Sequence, residues 1–204
     1  MESFPLDYAG STVHAALFRR VENAAQLRQR LIAASTLPDD QPGDDERRAV
    51  DYAFIDAAMI TSRLHVLTAV SQALLAQAHN ALRSKTLHSE VISMLEPGTN
   101  ISEALKHFGL SAKTKDLLLV RIQQQGSEPS EQIQDGMKSI VEGQLASLDL
   151  LGTLPEGGTN DKSLRKLYKL NGDAALAALT PGSRQYLQTL DQLVTSSTAL
   201  KSVM

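Results

Sequence analysis

Leu117-Leu118-Leu119-Val120-Arg121-Ile122 is nearly all apolar at its start. A short run of this kind suits a central β-strand covered on both faces, because alternation disappears when neither side meets water. Upstream, Thr12-Val13-His14-Ala15-Ala16-Leu17-Phe18 also has strand character, with Val13, Ala15 and Leu17 on one face. A further strand is expected around Tyr52-Ala53-Phe54-Ile55. Elsewhere helical spacing dominates, and there is no regular alternation of strand and helix and no internal repeat. The expected fold class is therefore α+β: a small, mainly antiparallel sheet packed by several helices, in a single domain spanning residues 1–204.

The helical segments differ in how well they are marked. Ala24, Leu27, Leu31 and Ala34 recur at helical spacing, with Asn23 as the expected cap. Leu64, Leu67, Val70, Leu74 and Ala78 step along one face of an alanine-rich helix over 62–80. Leu87, Val91 and Leu95 predict a helix over 86–95 that Pro97-Gly98 stops. Asn100 caps the next helix, with Glu103 at the capping-box position and Ile101, Ala104, Leu105 and Phe108 at i, i+3, i+4 and i+7. Gly109 fits the left-handed residue that ends it. Ile133, Met137, Ile140 and Val141 predict a helix closed by Gly143. Leu164, Leu167 and Tyr168 lie on one side of a helix over 161–169, and Tyr186, Leu187, Leu190, Leu193 and Val194 form a stripe on the last one.

Three stretches are expected to be irregular. Residues 35–50, with Pro38, Asp39, Asp40, Pro42, Gly43, Asp44 and Asp45, are expected to form a mobile acidic loop. Gln124 to Ser130 is a polar loop, and Gly157-Gly158-Thr159-Asn160 is a turn without the Lys-Ser/Thr tail of a phosphate loop. Leu148 to Leu154 is apolar but too short to assign.

Composition narrows the function classes. Hydrophobic residues make up 42% of 204, enough for a core. Lys and Arg number 20 against 23 Asp and Glu, a net charge of −3, so a globally basic nucleic-acid binder is excluded and any such contact is local. With no cysteine there is no disulfide, thiolate zinc site or cysteine nucleophile. No apolar run is long enough to span a bilayer, and the acidic N-terminus lacks a signal-peptide hydrophobic region. The chain is expected to be soluble and intracellular.

Enzyme signatures are scarce. The five histidines, His14, His65, His79, His88 and His107, show no helical pairing for a metal, and there is no Gly-x-Ser-x-Gly elbow. No catalytic residue, cofactor or metal site is assigned. Glu90 lies near Arg83 and Lys85, where a solvated ion pair is favoured over acid–base chemistry. Two basic features remain. Lys162, Arg165, Lys166 and Lys169 form a cationic helix face that either meets phosphates or is solvated. Arg83 and Lys85, beside Ser84 and Thr86, stand just before a helix N-terminus, where outward-pointing amides favour an anion. The stripe of the last helix either closes the core or docks a partner.

The blocks Arg83-Ser84-Lys85-Thr86-Leu87-His88-Ser89-Glu90-Val91-Ile92 and Asn100-Ile101-Ser102-Glu103-Ala104-Leu105-Lys106-His107-Phe108-Gly109 resemble the central signature of the Cgi/TPRKB family, small non-catalytic subunits of the KEOPS (EKC) complex. Val21 to Arg28, Val141-Glu142-Gly143 and Leu164-Arg165-Lys166-Leu167-Tyr168-Lys169-Leu170 agree in order, so the resemblance spans most of the chain. It departs in the acidic 35–50 insertion, in the Gly-rich 152–160 loop, and in Ser84-Lys85-Thr86, where the family usually has Met-Lys-Thr.

The resemblance implies a non-enzymatic subunit in nucleus and cytoplasm. It would bind and stimulate the complex's small atypical kinase/ATPase, and through that partner reach a metal-binding transferase subunit. It would also hold the acceptor CCA tail of tRNA for threonylcarbamoyl-adenosine formation; in fungi the complex is tied to telomere maintenance and transcription. Carried onto this sequence, the tRNA-binding candidates are Arg83, Lys85, Thr86, Asn100 and Lys106. The kinase-binding candidates are Leu167, Tyr168, Leu170, Leu190 and Val194. Two rival readings are a structural kinase adaptor without RNA, and a small hydrolase or transferase using Glu90 or a histidine.

Overall fold

The computed structural model describes residues 1–124, 129–153 and 158–201. In chain order its elements are β1 (Glu2–Leu6), β2 (Ser11–Arg19), α1 (Ala24–Thr36), α2 (Gln41–Ala49), β3 (Ala53–Asp56), α3 (Arg63–Ala78), α4 (Leu87–Leu95), α5 (Ile101–Phe108), β4 (Leu117–Gln124), α6 (Ser130–Ile140), β5 (Gln144–Ala146), α7 (Asp161–Leu167), α8 (Ala174–Ala177) and α9 (Arg184–Leu200). The fold is α+β. The chain divides into two compact units, Met1–Asp56 with Gly109–Ser147 and Ala57–Phe108 with Leu148–Met204.

The first unit holds the sheet, in the order β1-β2-β4-β3, antiparallel throughout, with β5 also pairing with β2. The opening run forms β4, between β2 (Phe18 opposite Leu117) and β3 (Ala53 opposite Val120). Leu117, Leu118, Leu119 and Val120 are fully buried, as a two-sided strand requires. Ala16, Phe18, Phe54, Leu117 and Leu119 form one apolar cluster with Ala24 and Leu27 of α1 and Ile133, Met137 and Ile140 of α6.

Several expectations for this unit are corrected. Residues 35–50 are not a loop: Gln41–Ala49 is the helix α2. Asp40 caps it, its carboxylate accepting from the Gly43 amide at 2.8 Å, and Pro42 sits in the first turn, where its missing N–H costs nothing. The segment is acidic but countered. Arg30 holds Glu46 through two hydrogen bonds of 2.6 and 3.0 Å, and Arg47 reaches the carbonyls of Leu37 and Pro38. Asn23 precedes α1 without capping it; its amide instead donates to the Ile140 carbonyl and accepts from the Glu142 amide. Gly109 is not left-handed. It bridges to Ile55 in extended backbone, and the Leu110 amide donates to Phe54.

The second unit is helical. α3 packs on both α4 and α9. Its buried face is Val66, Ala69, Val70, Ala73 and Leu74, and the two alanines admit close neighbours. The expected stripe is therefore rotated: Leu64 is exposed and so is Ala78. α3 ends at left-handed Asn80 (φ 52°), with the Ala81 amide closing back on Ala76, a glycine-like stop made by asparagine. α7 ends at Leu167, and Lys169 is left-handed (φ 57°), so it leaves the face shared by Lys162, Arg165 and Lys166. Leu148–Leu150 is a single 3-10 turn. Residues 125–128 of the expected polar loop, Leu154 of the apolar stretch and Gly157 of the expected turn lie outside the described residues.

Tyr168 is the polar centre of this unit. Its hydroxyl donates to the Leu95 carbonyl, and its ring meets Phe108 edge-on at 6.5 Å. The Thr61 amide donates to His65 Nδ1, which leaves His65 Nε2 to donate to Tyr168 at 3.2 Å and fixes a neutral imidazole. Burial lowers the His65 pKa to about 4, against a weaker opposing pull from Asp191.

Candidate nucleic-acid interface

The candidate corner begins where α4 begins. Thr86 is its cap: the hydroxyl oxygen accepts from the Ser89 amide at 3.1 Å and its proton goes to Ser89 Oγ. The Thr86 hydroxyl, expected to meet phosphate, is thus already engaged with the helix. Arg83 and Lys85 are exposed on the turn before it. Beneath that turn lies Glu90, fully buried. Its Oε2 accepts from the amides of Arg83 (3.0 Å) and Ser84 (2.7 Å) and from the Ser84 hydroxyl (2.6 Å). The solvated ion pair expected for Glu90 is corrected: the carboxylate binds backbone, not the cationic heads of Arg83 and Lys85.

The five tRNA candidates are all exposed, but they fall into two groups. Arg83, Lys85 and Thr86 stand at the start of α4. Asn100 and Lys106 come after its end, in the cap and body of α5, with α4, about 13 Å long by its rise per residue, between the two groups in sequence. Asn100 caps α5, accepting from the amides of Ser102 (2.9 Å) and Glu103 (3.3 Å). Glu103 makes no capping-box bond; it faces Lys106 at 3.5 Å and His107 at 3.5 Å.

A cation that sequence reasoning missed sits at the end of α4. Lys201, just beyond α9, donates to the carbonyls of Ser93 and Glu96 at the end of α4. Burial lowers its pKa, and the charge of Arg83 lowers it further. The signal was faint but present. Tyr186, Leu190, Val194 and Thr198 are the buried positions of α9, and the same spacing brings 201 onto that face.

The kinase candidates separate by burial. Tyr168, Leu190 and Val194 are core residues at 8%, 1% and 0% exposure, and Leu167 and Leu170 are half-buried. The stripe of α9 closes the helical core. Among the described residues no group of His, Cys, Asp or Glu could hold a metal ion, and no helix is long and apolar enough to cross a membrane.

Charge is divided unequally between the units. The helical unit carries 10 Lys and Arg against 8 Asp and Glu, of which Glu90 and Glu96 are buried; the sheet unit carries 10 against 15. All three aromatic residues of the helical unit, Phe108, Tyr168 and Tyr186, are buried, so it offers no aromatic stacking platform to a base.

Comparison with known proteins gives the relationship. Residues 18–202 match the family model described as kinase binding protein CGI-121. The chain is similar to the EKC/KEOPS complex subunit CGI121 of Gibberella zeae, 35% identical over 179 residues that cover 84% of each chain. It is 33% identical over 170 residues to the subunit of the same name from Aspergillus terreus, covering 83% of this chain and 80% of that one. The Cryptococcus neoformans subunit is 29% identical over 235 aligned positions, 99% of this chain and 97% of the relative. The turn, cap and buried glutamate of the α4 corner thus belong to a member of the CGI-121 kinase binding protein family.

Proposed function

We propose that this chain is a non-catalytic subunit of a KEOPS (EKC) complex. In this reading it binds and stimulates the small atypical kinase and holds the acceptor end of tRNA at the α4 corner for threonylcarbamoyl-adenosine formation. Family membership supports the kinase half. The observation that carries the RNA half is the exposure of Arg83 and Lys85 together at a capped helix start, in the unit whose charge balance is positive. Phosphate contacts supply the affinity there, because every aromatic residue of that unit is buried. Partner subunits add the rest through multivalency. For the kinase face, burial of Tyr168, Leu190 and Val194 leaves Leu167 and Leu170 as the accessible candidates.

The enzymatic alternative has no support from Glu90, whose carboxylate is sealed from solvent and bonded to backbone. The test is co-purification with tagged kinase followed by tRNA capture. Lys85→Glu is expected to abolish tRNA retention and leave kinase retention intact. Equal tRNA retention by variant and wild type rejects the corner and favours the adaptor reading.

A further inference from the structure

We infer that Glu90 is a positioning residue for the RNA seat: it touches no RNA itself but fixes the Arg83–Lys85 turn that does. The inference rests on the tRNA reading above and names a residue beneath the surface that the reading needs.

The geometry is one-sided. All three donors that reach the carboxylate come from two consecutive residues, Arg83 and Ser84, and all converge on Oε2. Glu90 lies in the first turn of α4, so the turn carrying the exposed cations is tied to a rigid helix six and seven residues further on. Hydrogen bonds to a buried carboxylate are charge-assisted and about twice as strong as neutral ones. A turn held this way presents Arg83 and Lys85 in fixed directions before any ligand arrives. Less ordering entropy is then lost on binding.

The sign of the charge effect separates this role from its rivals. Glu90 is an anion beneath a proposed polyanion site. As background charge alone, it opposes RNA, and neutralising it strengthens binding. As a tether, its neutralisation loosens the turn and weakens binding. Glutamine can set a carbonyl oxygen in the place of Oε2 and its amide in the place of Oε1, which has no partner, so it keeps the three contacts but loses the charge that makes them strong.

The experiment measures tRNA affinity of the full chain bound to its kinase, at a temperature well below the melting midpoint of all four proteins, for wild type, Glu90→Gln, Ser84→Ala and the double variant Arg83→Ala/Lys85→Ala. Glu90→Gln is expected to bind tRNA about threefold more weakly although it removes a negative charge beneath the site, with kinase affinity unchanged. Ser84→Ala removes one of the three donors, together with that hydroxyl's 2.9 Å approach to the Thr86 carbonyl within the same turn, and is expected to weaken binding about twofold. Unchanged or tighter tRNA binding by Glu90→Gln overturns the inference. Should that variant not fold, Ser84→Ala decides alone, a twofold loss supporting the tether and no loss overturning it. The double variant separates the two claims. If it loses tRNA while Glu90→Gln does not, only the positioning role fails; if it keeps tRNA, both fail.

Discussion

The sheet unit and the helical unit are built on different electrostatics. In the sheet unit acidic residues outnumber basic ones by 15 to 10, and three of its arginines pair with its own carboxylates, Arg30 with Glu46, Arg47 with Asp39 and Asp44, and Arg121 with Asp51, as Arg63 with Asp149 and Arg165 with Asp161 do in the helical unit. In the helical unit the basic residues are in excess, and two of the carboxylates, Glu90 and Glu96, are turned inward. Glu90 there binds amides, so the charges of Arg83 and Lys85 are not consumed by it. A whole-chain charge of −3 thus describes neither unit. It excludes binding by the molecule as a whole and says nothing about a corner whose anions are buried.

The largest effect expected from this contrast lies in the helical unit. His65 is buried neutral, with a pKa lowered from 6.5 to about 4. Its stabilisation is complete above pH 6.5 and is lost as pH falls towards 4, because only the unfolded chain takes up the proton in that interval. The loss amounts to about 3 kcal/mol at most. Denaturant unfolding of wild type and His65→Gln at pH 7 and pH 4 measures it: the wild type is expected to lose more stability than the variant by up to that amount. Equal losses refute the assignment.

A smaller effect is expected in the sheet unit. A Cβ on Gly43 would fall 2.2 Å from the Pro38 carbonyl, which the turn into α2 holds in place. Gly43→Ala is expected to cost about 2 kcal/mol, read from the shift in unfolding midpoint. A neutral result means that residues 38–43 do not form the capped turn described. The effect on tRNA binding is expected to be nil, because this turn belongs to the acidic unit.

What the sequence disclosed follows from how local each signal was. β4, the cap at Asn100, the Pro97-Gly98 stop and the buried Ala104 and Phe108 of α5 depend on residues within a few positions, and all are present. α2 is hidden in the sequence by Pro42 and Gly43, which read as helix breakers. In first-turn positions behind Asp40 they are compatible with a helix. The rotated face of α3 followed from giving leucines priority over alanines, when the close packing of α3 uses Ala69 and Ala73. At the corner, the exposed cations were legible and their support was not. The turn folds back over six or seven residues to reach Glu90, and Lys201 arrives from 105 residues away to reach Glu96.

The account stands or falls on whether the corner grips phosphate. The direct measurement is tRNA affinity across a salt series for the kinase-bound wild type and Arg83→Ala/Lys85→Ala, with Arg48→Glu in the sheet unit as a charge-reversal control. Losing two phosphate contacts on a single-stranded end is expected to flatten the slope of log affinity against log salt by about 1.4, with Arg48→Glu tracking wild type. Parallel lines for wild type and the double variant would contradict the account.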